Sequence, residues 1–301
     1  MLLKDLNKMK TKVAVVIVTY NRLPLLKECI DSIRAQTYTD FSIIVINNGS
    51  TDGTEAWLKE QNDVIVVTQE NLGGAGGFYT GIKYSCEYGF AYSWVMDDDV
   101  VCHKDALKSM MCRVSSTSGF LCSRVVYPNG SPCNVPEISK RKNKETGELL
   151  WGERLDDGLL RVETASFVSV LIDNRVVGKI GLPLKEYFIW GDDSEYTNRI
   201  SRVYPSYLVV DSVVTHKRAI QRILSIAEES DKQRMKNYYY FYRNTVHRQN
   251  SLLKKSICFC RYFILALMLF LRGKWPASSI VFKGIFAALF FSPHITFPSN
   301  A

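Results

Sequence analysis

The stretch Val13-Ala-Val-Val-Ile-Val18 decides the fold class of this 301-residue chain. Such a continuous, mostly β-branched run is typical of a strand buried on both faces of a parallel sheet. Thr19-Tyr-Asn-Arg-Leu-Pro24 breaks the run, and apolar residues then recur at helical spacing from Leu25 to Gln36. The pattern predicts a strand followed by a helix.

The same alternation continues along the chain. Further strands are predicted at Phe41–Ile46, Val64–Thr68 and Tyr92–Met96, with helices at Thr54–Gln61 and Gly76–Tyr88 between them. Strict alternation of strands and helices implies a mostly parallel, Rossmann-like sheet with helices on both faces.

The pattern weakens from about Gly119 to Val162, where prolines and charged residues predict an excursion over the surface. Strand character returns at Val162–Asp173. Another strand is predicted at Tyr207–Val214, ending at His216.

The C-terminal part differs in kind. Ser256–Leu271 and Ser279–Phe291 are apolar but contain Arg261 and Lys283. Both are shorter than the roughly 20 residues that span a bilayer, so we predict interfacial or re-entrant amphipathic helices whose basic residues reach lipid phosphates. The alternative is that they pack on the globular domain or form a dimer interface, and the oligomeric state stays open. We therefore divide the chain into a catalytic domain at 1–250 and a membrane-associated tail at 251–301.

The charge distribution supports a membrane partner. The formal net charge is +8, which favours an anionic partner. Between Lys217 and Lys274 there are 13 Lys/Arg and three acidic residues, next to the apolar tail. Because no recognition helix or RNA-binding motif accompanies this charge, we expect no nucleic acid partner.

The cysteines and the N-terminus indicate the compartment. None of the eight cysteines forms a CxxC pair or a Cys/His finger, which favours reduced, buried thiols in a cytosolic protein. Met1–Lys12 is polar and basic, and the apolar run after it is too short for a signal peptide. We expect a cytoplasmic protein that is peripheral at the inner face of the plasma membrane.

Three polar segments follow predicted strands: Thr19–Arg22, Asn47–Asp52 and Asp97–Asp99. Ligands of open α/β sheets bind at the carboxyl ends of the strands. The three segments therefore locate a binding site.

Asp97-Asp98-Asp99 brings three carboxylates together at a strand end. Adjacent carboxylates repel each other unless a cation offsets their charge, and Mg²⁺ or Mn²⁺ commonly bridges a carboxylate to a phosphate. The alternative is a solvated acidic turn. His216, at the end of another strand, is a candidate third ligand, although a lone histidine is more often structural.

A second acidic cluster lies in Tyr187-Phe-Ile-Trp-Gly-Asp-Asp-Ser-Glu195. Burial beside Trp190 would raise a carboxylate's pKa and make it a usable base. The alternative is that Asp192 or Asp193 caps a helix beginning near Ser194.

A glycine-rich loop, Asn71-Leu-Gly-Gly-Ala-Gly-Gly-Phe78, opens a helix. Glycines allow close backbone approach, and helix N-termini bind phosphate. The spacing matches neither a dinucleotide fingerprint nor a phosphate-binding P-loop.

Taken in order, these motifs resemble the family 2 glycosyltransferases, which have the GT-A fold. The resemblance covers roughly residues 12–250, and within the family it is greatest to galactofuranosyltransferases and then to rhamnosyltransferases. It is carried by Val18–Arg22, Asn47–Thr54, Asn71–Phe78, Asp97–Asp99, Trp190–Glu195 and His216.

The resemblance implies a role for each matching residue on the donor side. Thr19, Tyr20 and Arg22 would hold the nucleotide, and Asn48 replaces an Asp that reads uracil in many members. Asp99 and His216 would bind Mn²⁺ or Mg²⁺. The implied donor-binding set is Thr19, Tyr20, Arg22, Asn48, Gly73, Gly74, Asp97 and Asp98.

On the acceptor side, Asp193 would be the general base. Trp190, Asp192 and Glu195 would contact the acceptor, and Tyr238–Asn244 resembles a helix that such enzymes carry after the catalytic domain.

The implied function is inverting, metal-dependent transfer of galactofuranose from a nucleotide diphosphate sugar to a lipid-linked saccharide in polysaccharide synthesis. The alternatives are a rhamnosyltransferase using dTDP-rhamnose, a nucleotidyltransferase, and a non-catalytic scaffold that binds nucleotide sugars or membranes. A nucleotidyltransferase would need a basic phosphate-gripping loop after the first strand, which Thr19–Pro24 lacks.

Overall fold

A computed structural model describes residues 12–218 and 225–299, so the basic segment predicted at the N-terminus lies almost wholly outside the described residues. One ten-stranded sheet runs in the order β3-β2-β1-β4-β9-β6-β10-β8-β7, with β5 paired to β10. The strands are β1 Val13–Thr19, β2 Phe41–Asn47, β3 Val64–Thr68, β4 Tyr92–Asp97, β5 Val100–Cys102, β6 Phe120–Val126, β7 Glu137–Ile138, β8 Leu159–Thr164, β9 Val170–Asp173 and β10 Tyr207–His216.

Helices cover both faces of the sheet, and further helices come after the last strand in sequence. The helices are α1 Leu23–Arg34, α2 Thr54–Lys59, α3 Gly73–Glu87, α4 Ala106–Met111, α5 Asn174–Ile180, α6 Asp192–Ser201, α7 Lys232–His247, α8 Leu252–Leu271 and α9 Trp275–Phe290. The predicted α/β class and the C-terminal helices are confirmed.

The first half of the sheet is parallel, as predicted. β1 pairs in parallel with β2 and β4, and β2 pairs in parallel with β3. Every residue of β1 is buried, which explains its unbroken apolar sequence.

The second half of the sheet is mixed rather than parallel. β9 is antiparallel to both β4 and β6, and β10 is parallel to β6 but antiparallel to β8 and β5. The stretch predicted as one strand at Val162–Asp173 forms β8 and β9, separated by residues 165–169.

Helix α3 begins at Gly73, three residues before the predicted start. Its glycines permit close packing on β1. A Cβ at Gly77 would lie 2.4 Å from Val18 Cγ1, and one at Gly81 would lie 2.2 Å from Val16 Cγ1. This packing outweighs the low helix propensity of glycine.

The C-terminal helices pack on α7 and on each other. Their shared apolar cluster includes Tyr242, Ala266 and Val281. The chain after α9 returns to the sheet domain, where Leu182 N donates to Thr296 O over 2.8 Å. Within residues 12–218 and 225–299, no helix combines the length and apolar character needed to cross a bilayer. The division at residue 250 stays a prediction.

Candidate active site

The three polar segments predicted to converge do meet at one sheet edge. Thr19 at the end of β1 pairs in register with Asn47 at the end of β2. Asp97 at the end of β4 pairs with Val18. The carboxyl ends of these strands therefore present their side chains together.

Asp98 organises the donor side of this edge. It accepts a hydrogen bond from Thr19 Oγ1 at 2.7 Å and one from Arg22 Nη1 at 3.3 Å. Burial raises the pKa of Asp98 to about 6, although the charge of Arg22 and the Thr19 hydroxyl oppose the rise. Because Asp98 is only 3% exposed and contacts both side chains, we infer that it positions Thr19 and Arg22.

Asp99 lies between the guanidinium of Arg22 and the imidazole of His216. Arg22 Nη1 is 3.0 Å from Oδ2, and His216 Nε2 is 3.0 Å from Oδ1. Burial alone would raise the pKa of Asp99, but the contact with His216 and the charges of His216 and Arg22 outweigh it and lower that pKa.

Asp97, Asp99 and His216 offer ligand atoms that all lie within 4.8 Å of one another, so Asp97 joins the predicted metal pair. Asp99 Oδ1 is buried and accepts no hydrogen bond of good geometry. Ligand atoms bound at about 2.1 Å and at right angles to each other are about 3.0 Å apart, which matches the His216–Asp99 contact. The residues present therefore fit a divalent cation.

The second ring nitrogen of His216 supports this reading. Nδ1 is 3.0 Å from Asn134 Oδ1, an acceptor when the amide is oriented this way. With Nδ1 donating to this oxygen, the neutral ring presents the lone pair of Nε2 on the side of Asp99, the orientation that a metal ligand needs. The protonated ring instead donates from Nε2 to Asp99, which is the form that lowers the pKa of that carboxyl. Asn134 was not among the predicted residues, because it lies in the irregular excursion that carries no periodic signal.

The second acidic cluster lies next to the first. Burial raises the pKa of Asp97 well above its usual value, and the charges of Asp99, Asp98 and Asp192 add to the rise. Burial likewise raises the pKa of Asp192 to about 8, with the charge of Asp193 adding to it.

The predicted base, Asp193, is oriented by its neighbour. Its Oδ1 accepts hydrogen bonds from Ser194 N at 2.5 Å and from Ser194 Oγ at 3.1 Å. Burial raises the pKa of Asp193, opposed mainly by these hydrogen bonds. Helix α6 begins at Asp192, and its N-cap is Gly191, so the alternative of an aspartate cap before Ser194 is wrong.

The loop before the acid pair is strained. Phe188 and Trp190 have φ of 62° and 63°, a left-handed conformation that is costly for aromatic residues. Gly73 makes room for this loop, since a Cβ there would lie 2.0 Å from Phe188 O. Trp190 also packs edge-on against Tyr238 of α7, with ring centroids 5.1 Å apart.

Asn244 of α7 holds the loop in place. Its Nδ2 donates to Tyr187 O at 3.0 Å, Ile189 O at 3.2 Å and Trp190 O at 2.9 Å. Its Oδ1 accepts from the buried guanidinium of Arg243. The motif Tyr238–Asn244 was singled out in the sequence as a helix, but the contact of Asn244 with a loop more than 50 residues away is seen only in the structure.

The glycine-rich segment and Asn48 form one hydrogen-bonded unit. Asn48 Nδ2 donates to Gly73 O at 2.9 Å, and Asn48 Oδ1 accepts from Gln69 at 2.6 Å. Asn48 is 2% exposed, so its amide is used within the protein. A Cβ at Gly74 would meet open space, which leaves this part of the helix N-terminus accessible. The predicted nucleotide contacts of Asn48, Gly73 and Gly74 stay predictions.

The two remaining predicted residues differ in exposure. Tyr20 is 46% exposed at the donor edge. Glu195 forms a two-point ion pair with Arg199, at 2.9 and 3.0 Å. Its predicted acceptor contact would therefore have to be shared with Arg199.

Known proteins resemble this chain in sequence and in fold. Residues 14–159 match the family model "Glycosyl transferase family 2". The chain is 25% identical over 197 residues to the glycosyltransferase AglE of Haloferax volcanii, covering 62% of this chain and 60% of that protein. It is 27% identical over 209 residues to the galactofuranosyltransferase GlfT1 of Mycobacterium tuberculosis, covering 64% and 66%. The matches thus span less than two thirds of the length of these relatives.

The fold is shared with the mannosyltransferase PcManGT of Pyrobaculum calidifontis, solved in complex with GDP-Man and Mn²⁺. The TM-score is 0.53 at 15% identity, covering 94% of this chain and 88% of that one. The predicted GT-A fold and the resemblance to family 2 glycosyltransferases are confirmed.

Proposed function

We propose that this chain, which carries a family 2 glycosyltransferase domain at residues 14–159, is an inverting, metal-dependent glycosyltransferase. It moves a sugar from a nucleotide diphosphate sugar to a lipid-linked saccharide. The observation that carries the proposal is the juxtaposition of two acidic clusters. Asp97, Asp99 and His216 form a cation-sized group, and Asp192, next to the predicted base Asp193, is near enough for its charge to raise the pKa of Asp97.

On the donor side, Asp97, Asp99 and His216 would hold Mn²⁺ or Mg²⁺. When bound, such an ion offsets the charge that grows on a departing diphosphate. Thr19 and Arg22 are fixed by Asp98 at the same edge, in position to contact the nucleotide.

On the acceptor side, Asp193 accepts the proton of the attacking hydroxyl. The acceptor oxygen forms a bond to the anomeric carbon as the bond from that carbon to the diphosphate breaks. Attack from the face opposite the diphosphate inverts the anomeric configuration. Burial supports this role because it raises the pKa of Asp193 toward neutrality, where a base is most effective.

We propose galactofuranose as the donor sugar, supported by the 27% identity to GlfT1. Rhamnose from dTDP-rhamnose is the alternative.

We propose that α8 and α9 lie on the inner face of the plasma membrane. Large apolar side chains on them are exposed, including Leu271 at 83% and Phe290 at 88%. No acidic residue follows Asp231 in the sequence, whereas Arg261, Arg272 and others supply positive charge. An apolar helix surface with cations fits an anionic lipid interface, where the lipid-linked acceptor would also reside.

The test is donor turnover by the full chain with Mn²⁺ and a lipid-linked acceptor mimic. The donors are UDP-galactofuranose, UDP-galactose, UDP-glucose and dTDP-rhamnose, and nucleotide diphosphate release is measured. We expect release from UDP-galactofuranose that EDTA and Asp99→Ala abolish and that the exposed-site control Asp156→Ala leaves intact. Release from dTDP-rhamnose alone would replace the donor, and nucleotide binding without release from any donor would favour the scaffold alternative.

A further inference from the structure

A cavity opens beside Ser194, the residue next to the predicted base. It has a volume of about 680 Å³ and is walled by α6 along its length, the end of α7, the start of α8, and one residue each of β7 and β8. Ser194, which orients Asp193, is part of its lining. The cavity therefore lies on the acceptor side of the site, away from the strand ends that form the donor edge.

The lining is cationic. Arg199, Arg202, Arg248 and Lys255 face two carboxylates, those of Glu137 and Glu195. Glu195 and Arg199 form an ion pair with each other, with Arg199 Nε 2.9 Å from Glu195 Oε1. Among the described residues, Arg202, Arg248 and Lys255 form no ion pair with a carboxylate. Three positive charges, none of them in an ion pair with a carboxylate of the lining, thus converge on this space.

The charge of this cavity reaches the reacting group. Burial raises the pKa of Asp193, and the charge of Arg248 is among the contributions that lower it again. The charge of one cavity residue, Arg248, therefore acts on the predicted base.

The cavity wall continues into an apolar surface. Lys255 lies in the first turn of α8, where Leu252 and Leu253 are 83% and 71% exposed. Ile257, one position beyond Ser256, is 59% exposed. A ligand with an anionic group and a hydrocarbon chain could place the first in the cavity and the second along α8.

We propose that this cavity binds the diphosphate group of the lipid-linked acceptor, through Arg202, Arg248 and Lys255. The inference rests on the proposed function, since it names the chemistry of the acceptor at the same site. Arginine and lysine bind phosphate oxygens through charge-assisted hydrogen bonds, and three of them more than offset the two negative charges of a diphosphate esterified at both ends.

The probe is inorganic pyrophosphate, titrated by calorimetry into the full chain in EDTA so that no metal complex forms. We expect binding that the double variant Arg248→Gln/Lys255→Gln weakens about a hundredfold, roughly tenfold for each cation lost. The matched control is Lys232→Gln/Lys236→Gln, which removes two exposed cations of α7 outside the cavity. Absence of binding by the unmodified chain, or equal weakening by both double variants, would overturn the proposal.

A second arm separates the acceptor from ordinary lipid. Vesicles of phosphatidylcholine carrying polyprenyl diphosphate are compared with phosphatidylcholine vesicles carrying phosphatidylglycerol at equal surface charge. We expect the cavity variant to lose binding to the first and to keep binding to the second. Equal loss from both would assign the cavity to lipid headgroups and contradict the proposal.

Mn²⁺-dependent UDP binding, measured on the same proteins, distinguishes the two levels of failure. Unchanged pyrophosphate binding in the cavity variant, with UDP binding intact, would overturn the cavity assignment alone. Absence of UDP binding in the unmodified chain would overturn the proposed function.

Discussion

Two parts of the site are held by different kinds of structure: the donor edge, formed by Thr19–Arg22 and Asp97–Asp99, and the acceptor loop, formed by residues 188–193. Asp97 and Asp99 end or follow buried strands, and their positions follow from the sheet register. Asp193 follows a strained loop that contacts Asn244 of α7, a helix that packs on the C-terminal helices. A strand end is fixed by its neighbours in the sheet, whereas the loop depends on a few hydrogen bonds from a distant helix. Substitutions on the two sides should therefore separate donor binding from transfer.

The largest effect is expected on the donor side, from His216→Ala. Loss of one of three ligands should weaken Mn²⁺ binding and lower kcat/KM about a thousandfold, because a metal contributes several kcal/mol to the transition state. The measurement is a Mn²⁺ titration of UDP binding and of transfer. His103→Ala removes an exposed histidine near the same strand and serves as the control. Unchanged Mn²⁺ dependence in His216→Ala would contradict the metal assignment.

The next effect is expected on the acceptor side. Asn244→Asp keeps the shape of the side chain but replaces the donating amide with an acceptor facing three carbonyls. We expect transfer to fall up to about a hundredfold, since small misplacements of reacting groups have this effect. UDP binding should stay within about twofold.

Asn237→Ala, elsewhere on α7, is the control for this substitution. If Asn244→Asp weakened UDP binding as much as transfer, the hydrogen bonds from Asn244 would not act specifically on the acceptor loop.

The pH dependence sharpens the same distinction. The base must be ionised, so transfer should fall as pH decreases through the raised pKa of the Asp192–Asp193 pair, about tenfold per unit below it. Arg248→Gln removes a charge that lowers the pKa of Asp193, so the inflection in log kcat should move to higher pH. An inflection near pH 4 in both proteins would exclude a buried carboxylate as the base.

The smallest effect concerns stability. Gly81→Ala would place a Cβ 2.2 Å from Val16 Cγ1, and overpacking of this kind costs about 1–3 kcal/mol. Gly74→Ala meets no atom within 4 Å and should leave the melting temperature unchanged or slightly higher. Thermal unfolding of both variants checks this. A higher KM for the donor in Gly74→Ala alone would support the predicted diphosphate contact at Gly74.

Sequence reasoning located the donor edge because strand ends can be read from local patterns. Parallel strands joined by helices have their carboxyl ends at one edge of the sheet, so the segments after β1, β2 and β4 could be expected to meet there. The same patterns did not predict the hydrogen bonds from Asn244 to the acceptor loop or the contact of Asn134 with His216. Both are tertiary contacts between irregular or distant segments, and no period in the sequence encodes them.

Helix α3 shows a different reason for a wrong boundary. Its glycines predict a loop by propensity, yet they are needed because β1 and the loop at Phe188 approach the helix closely. Tertiary packing decided the conformation there, and propensity alone placed the helix start three residues too late.

Metal binding and base catalysis are separated most directly by comparing Asp99→Ala and Asp193→Asn in two assays, Mn²⁺-dependent UDP binding and sugar transfer. We predict that Asp99→Ala loses both, whereas Asp193→Asn binds UDP normally and loses transfer by a factor on the order of 10²–10⁴. Full transfer by Asp193→Asn, or normal Mn²⁺-dependent binding by Asp99→Ala, would contradict the division of the site into a metal-binding donor edge and a catalytic acceptor loop.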